Sequence, residues 1–177
     1  MQKQEEYGIV KMVNKLTVLL FWVKGNVMNK EDKKNAYLYC KFRDEQFALY
    51  DEYAKRQGML MKTLLVTNTL FYAKDGMTQA EICQRTLQSK QTVNLIIRNL
   101  LEDGYVTVSD VPENRRIKIV RMTEAGRNYC GKTVKHITWA EDTAMSMFTP
   151  EEQKTLIELS RTFTKNLTML VNQEEED

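Results

Sequence analysis

Cysteine, histidine, glycine and proline are all scarce in this sequence, and each scarcity excludes a class of protein. The three cysteines, Cys40, Cys83 and Cys130, stand far apart. An odd count without short spacings builds neither a disulfide framework nor a zinc knuckle, so a reducing cytoplasm is the expected setting. His136 is the only histidine, which rules out a histidine-rich metal sensor and any triad needing a second one. The 7 glycines never gather into a phosphate-cradling loop, and with only 2 prolines the chain is expected to form long helices. The longest apolar run, "LTVLLFWV" at 16–23, is bracketed by Lys11, Lys15 and Lys24 and falls well short of the ~20 residues of a membrane span. It reads as a buried helix, and no secretory signal is expected ahead of it. Carboxylates are plentiful, but none is paired on an apolar face as acid/base chemistry would need, so no enzyme, metal or cofactor is expected.

A large charge of one sign is also missing. The 177 residues carry a formal net charge of +2, and setting aside the acidic tail Glu174, Glu175, Glu176 and Asp177 leaves a body at +6. A modestly basic body permits a polyanionic partner without requiring one.

What is there is helical periodicity with sharp punctuation. Between Glu5 and Val23 apolar residues recur at intervals of three and four, as on one helix face. "KGNVMNKED" breaks the pattern, and a second helix is expected from about Glu31 to Gln57, with Leu38, Phe42, Leu49 and Tyr53 among its apolar positions and Gly58 as its stop. A third, Met59 to Ala73, is apolar nearly all round and is expected to be buried on several sides. "TQAE" at 78–81 then reads as a capping box, Thr78 with Glu81, opening a short helix that lasts to about Arg85. Ser89 caps the next, in which Val93, Ile96, Ile97, Leu100 and Leu101 make the apolar face and Lys90, Gln91, Asn94, Leu95 and Arg98 point outward, before Gly104 ends it.

From Tyr105 the period changes to two. "YVTVS" and "IKIVR" alternate apolar and polar residues around "DVPENRR", as a hairpin with one face on a core does, and this sets Arg115 and Arg116 at its tip. Thr123 caps a helix running towards Met147, and "TPEEQ" opens the last one, with Pro150, Glu151 and Glu152 in its first turn. Its apolar positions Leu156, Phe163, Leu167 and Leu170, with Ser160, form a stripe that requires a partner helix.

Short helix, turn, amphipathic helix with a polar outer face and basic hairpin together make a winged helix-turn-helix. An α-helix fits the major groove of B-DNA, and a basic hairpin beside it reaches the flanking phosphates or the minor groove. The chain resembles the MarR-type transcriptional regulators, over about Gly58 to Gly131. The residues that carry the resemblance are "TQAEICQRT", "SKQTVNLIIRNLLEDGYV" and "PENRRIKIVRMTEAG", in that order and spacing.

The resemblance implies a mainly α fold with a small β-hairpin wing, flanked by N- and C-terminal dimerisation helices. It divides the chain into N-terminal helices at 1–57, a DNA-binding domain at 58–122 and C-terminal helices at 123–177. It further implies a homodimer on an inverted-repeat DNA operator, acting as a ligand-responsive repressor. The implied DNA-contacting residues are Thr78, Gln79, Ser89, Lys90, Gln91, Thr92, Asn94, Leu95, Arg98, Arg115, Arg116 and Lys118, with the wing's minor-groove arginine falling on Arg116. Relatives bind small amphipathic molecules between the dimerisation helices and the winged domain. Met59, Met61, Phe71 and Trp139 are candidates to line such a pocket, although the same residues would serve a core.

Three positions depart from the family's pattern. Asn114 stands where an aspartate commonly holds the wing arginine, Leu95 where a basic residue is common, and "TLQ" at 86–88 where a turn glycine is usual. Cys83 reads as a small core residue. Cys40, among Tyr37, Tyr39, Phe42, Tyr50 and Tyr53, reads as a buried free thiol rather than a redox sensor. The alternative from another class is a winged helix that docks a protein and does not bind DNA, for which Leu95 and Asn114 speak.

Overall fold

Side-chain caps mark the starts of most of the described helices. A computed structural model describes residues 29–111 and 114–172, with only the backbone given for 111 and 114–117. The helix expected at 5–23 and the acidic tail lie outside the described residues. Six helices follow in order: α1 (Lys30–Arg56), α2 (Met61–Tyr72), α3 (Gln79–Thr86), α4 (Lys90–Glu102), α5 (Glu124–Ser146) and α6 (Pro150–Asn172). Three strands accompany them, β1 (Met77–Thr78), β2 (Val106–Val111) and β3 (Asn114–Met122). None of the described helices is long and apolar enough to cross a membrane.

The chain divides into two compact units, Met1–Tyr50 and Asp51–Asp177. In the first, the described part of α1 starts where Asn29 and Asp32 cap each other, the Asp32 N–H donating to Asn29 Oδ1 at 2.8 Å. Its side chains Tyr37, Tyr39, Phe42, Phe47 and Leu49 are exposed, as are the i,i+4 partners Lys41 and Glu45 at 3.6 Å. Of the apolar positions expected on this helix, Phe42 and Leu49 are exposed, while Leu38 and Tyr53 are half-buried.

The second unit begins with the end of α1. Gly58, at φ +75°, lets the Met59 N–H reach the Ala54 carbonyl at 3.1 Å and its own N–H the Lys55 carbonyl at 3.0 Å. This Schellman closure, with Met59 packed inward at 7% exposure, ends α1 and moves the start of α2 to Met61, two residues later than expected. Leu64, Val66, Thr67 and Leu70 of α2 are buried. Val66 and Leu70 form one core with Met77 of β1, Ile82 of α3, Val93, Ile96, Ile97 and Leu100 of α4, and Val106 and Val120 of the hairpin. Full burial of each such side chain contributes roughly 1.5–3 kcal/mol. On α5, Cys130, Val134 and Ile137 are also buried. Arg127 of α5 donates to the Phe71 carbonyl at 2.9 Å, satisfying a carbonyl at the end of α2.

The sheet is antiparallel in the order β1-β3-β2. Met77 pairs with Val120 and Thr78 with Ile119, so a third strand covers the free edge of the expected hairpin. Gly76, at φ +77°, turns the chain into β1 so closely that a Cβ there would lie 2.5 Å from both Arg121 Cγ and the Val120 carbonyl oxygen.

The hairpin itself is longer than the expected runs 105–109 and 117–121. Pairing continues to Asp110↔Lys118 and then steps to Val111↔Asn114, an irregularity that leaves Arg115, Arg116 and Ile117 as extra residues on β3. The two arginines thus belong to a strand beside the turn and not to the turn, a correction to the expected loop "DVPENRR". Its cause is a cross-strand ladder that holds further out than the alternation of apolar residues reveals.

Candidate nucleic-acid interface

The capping box read from the sequence fixes the first helix of the motif. The Glu81 N–H donates to Thr78 Oγ1 at 3.1 Å, and Glu81 Oε2 accepts from the Thr78 N–H at 2.8 Å and the Thr78 hydroxyl at 2.9 Å. These hydrogen bonds, the backbone one first, hold the Glu81 carboxyl below the usual carboxylate range. They also commit the hydroxyl of Thr78 to the cap. Gln79, the next candidate, is half-buried at the start of α3.

The turn to the second helix is where the missing glycine matters. Leu87 adopts the left-handed conformation, φ 54° and ψ 28°, with its side chain 91% exposed. A β-carbon in that region costs about 1–2 kcal/mol, and this leucine buries nothing to offset it. Its neighbour Gln88 ties the turn to α2 by donating from Nε2 to the Lys62 carbonyl at 3.1 Å.

Ser89 then caps α4, accepting from the Thr92 N–H at 3.2 Å, while the two hydroxyls lie 2.9 Å apart. Ser89 and Thr92 are thus largely spent on the helix start, and they orient the residues that follow. Val93, Ile96, Ile97 and Leu100 point into the core. Lys90, Gln91, Asn94, Leu95 and Arg98 are all exposed, as the spacing predicts. Leu101 is not on the buried face as expected. It is 45% exposed, because it falls about 100° round the helix from Leu100.

On the wing, Lys118 Nζ lies 2.6 Å from Asp110 Oδ1 directly across the strands, while Arg121, paired with Thr107, reaches diagonally to donate to Ser109 Oγ at 2.6 Å. The side chains of Arg115 and Arg116 lie outside the described residues. Sequence reasoning named Lys118 but missed Asp110. The signal was the two-residue period, which sets these positions on one face of facing strands.

The four pocket candidates occupy three different environments. Met59 is core and Met61 half-buried. Phe71 lies edge-on to Tyr72, with the Arg127 and Lys135 cations 5.6 and 5.9 Å from its ring centre. Trp139 is 61% exposed beside His136, which stacks on Tyr53 at 5.5 Å. Cys83 packs against the core, and burial pushes the Cys130 thiol up to about 11, which leaves it protonated and unreactive near neutral pH. Among the described residues no group of three or more His, Cys, Asp or Glu side chains could hold a metal ion.

Helix, turn, helix and wing, with a polar row on the second helix and cations on the hairpin, define a winged helix-turn-helix protein. The sequence model of the MarR family matches residues 70–117, from the end of α2 into the wing. No curated protein matches the chain in sequence. Among solved structures it is similar to AbsC, a MarR family transcriptional regulator from Streptomyces coelicolor, with TM-score 0.68 and 15% identity over 81% of this chain and 98% of that one. It is similar also to NMB1585, a MarR family regulator from Neisseria meningitidis, with TM-score 0.66 and 18% identity over 83% and 99%. A third is Sco3205, a MarR family transcriptional regulator from Streptomyces coelicolor in complex with DNA, with TM-score 0.62 and 19% identity over 80% and 91%. At these identities the likeness is one of fold.

Proposed function

We propose that this protein is a sequence-specific DNA-binding transcriptional regulator, a homodimeric repressor released by a small amphipathic ligand. The observation that carries the reading is the division of α4. Its apolar face is locked into the core while Lys90, Gln91, Asn94, Leu95 and Arg98 stand exposed from its first turn onward. A helix held this way has the dimensions of the major groove, and its outward types are those that meet base edges and phosphates. Gln91 and Asn94 suit adenine edges, Leu95 a thymine methyl, and Lys90 and Arg98 guanine or phosphate. Arg115 and Arg116, on the strand beside the turn, supply the wing contact. The match to the MarR family model and the likeness to a regulator solved with DNA support the reading.

Dimerisation is inferred from α6, none of whose residues is buried, with Leu156, Leu167 and Leu170 each 43–44% exposed. Two-fold symmetry of the protein then imposes an inverted repeat on the operator, with half-sites about one helical turn apart. A ligand that alters the spacing of the two copies of α4 alters operator affinity.

The test is to capture sequences from fragmented genomic DNA of the source organism and measure binding of the enriched duplex over a salt series. An enriched inverted repeat whose affinity falls steeply with salt supports the reading. Exchanging Gln91 or Asn94 should then shift preference at a few base positions by ~1–3 kcal/mol each. Arg116→Ala should weaken the complex at an unchanged melting temperature. No enrichment and no duplex binding at low salt would favour the protein-docking winged helix instead.

A further inference from the structure

Two described cations of the wing, Arg121 and Lys118, have different partners across the strands. Arg121 donates to the uncharged hydroxyl of Ser109. Lys118 is held at 2.6 Å by the carboxylate of Asp110, the two side chains remaining 56% and 51% exposed. The pair stands on the last regular rung before the step that sets off Arg115, Arg116 and Ile117. It lies on the sheet face of Val108 and Val120, and Val120 belongs to the core that α4 also packs against.

Stability does not account for it. A solvent-exposed ion pair contributes little because solvent screens it. Towards DNA the carboxylate matters more. It occupies the ammonium that a phosphate would otherwise neutralise, and it sets a negative charge on the element that must approach a polyanion.

We propose that Asp110 is a discrimination residue of the wing: by pairing with Lys118 it withholds one cation from the phosphate backbone. Affinity for DNA of any sequence is lowered, and recognition is left to the base-reading face of α4. This rests on the DNA-binding reading above. A phosphate contact adds equally to every sequence, so removing one lowers operator and non-operator binding alike. What it gains is a lower occupancy of the far more numerous non-specific sites.

The test uses the full chain and a mixed-sequence duplex as probe, with log K followed against log salt. Asp110→Asn should bind this duplex roughly fivefold more tightly at about 0.1 M salt, with the slope steeper by about 0.9. Glu158→Gln, which makes the same charge change on α6 and frees Lys154 from its exposed pair, controls for net charge and should do less. Adding Lys118→Gln to Asp110→Asn should abolish the gain beyond that control. Because both side chains are exposed, unchanged melting temperatures are expected throughout. Asp110→Asn binding no more tightly than Glu158→Gln, or more weakly than the parent, would overturn the proposal and leave the DNA-binding reading standing. A parent that binds no duplex at low salt would overturn both.

Discussion

Helices α4 and α6 carry apolar residues at similar intervals and meet opposite fates. On α4, Val93, Ile96, Ile97 and Leu100 are between 0% and 7% exposed. On α6, Leu156, Ile157, Leu159, Leu167, Leu170 and Val171 range from 43% to 65%. Periodicity states that a face needs cover without saying what covers it. For α4 the cover is local, supplied by α2, α3 and the hairpin that follows it. For α6 the described residues supply none, and an apolar stripe of this length is more than a soluble monomer usually leaves open. The contrast separates a helix covered by its own domain from one whose apolar face the described residues leave open.

The largest effect should come from damaging the covered helix. Ile97→Ala leaves a cavity in the core beside Val93 and Leu100, and we expect a loss of ~2–5 kcal/mol in urea unfolding. Leu167→Ala, measured at concentrations low enough for monomers, should stay within about 0.5 kcal/mol of the parent. Equal losses would show that α6 has intramolecular cover and end the comparison.

Charging the uncovered helix sharpens it. Leu156→Asp with Leu167→Asp should convert a dimer into a monomer by sedimentation, with the far-UV spectrum of the winged domain retained. The parent's melting temperature should rise with protein concentration and the variant's should not. A variant that remains dimeric would place the interface elsewhere.

The parts legible in the sequence were those set by neighbours three or four residues apart. Thr78 with Glu81, Ser89 with Thr92, and Thr123 with Gly126 each satisfy a helix start within one turn, so the borders of α3, α4 and α5 could be read directly. The outward row of α4 followed from the same period. Illegible parts depend on distant strands. Two residues, Met77 and Thr78, are too few to show alternation, and β1 exists because the edge of β3 was free to pair. The length of the wing depended on Asp110 meeting Lys118 eight residues later. Cover for α6, if it is a second copy, is not in one chain at all.

A smaller effect, of opposite sign, tests the turn between α3 and α4. Leu87→Gly removes the left-handed penalty of about 1–2 kcal/mol and gives back roughly 0.5–1 kcal/mol through the greater freedom of glycine when unfolded. With 91% of the leucine exposed there is no burial to lose. The net expectation is a gain of up to about 1 kcal/mol, read from the urea midpoint. A loss would mean that Leu87 is held by contacts made in the dimer or on DNA.

The smallest effect is a pH dependence at the start of α3. Glu81 accepts from the backbone N–H of Thr78 and from its hydroxyl, and both bonds favour the ionised carboxylate, so its folded pKa lies below the ordinary value of about 4.3. A depressed carboxylate contributes stability that is fully present above the unfolded pKa and lost as pH falls through the folded one. Glu152, which accepts in the same way from the N–H and hydroxyl of Thr149, adds a second term of the same sign at the start of α6. Glu81→Gln keeps an acceptor at the capping position but removes the titration. The parent should therefore be more stable than the variant at neutral pH. The two unfolding curves should begin to draw together as pH falls below about 4.3 and meet only below the lower folded pKa, where Glu81 is protonated in both states, leaving the Glu152 contribution common to both. Curves that stay parallel from neutral to acid pH would show that the cap at Thr78 works through geometry alone and that the charge on Glu81 adds nothing.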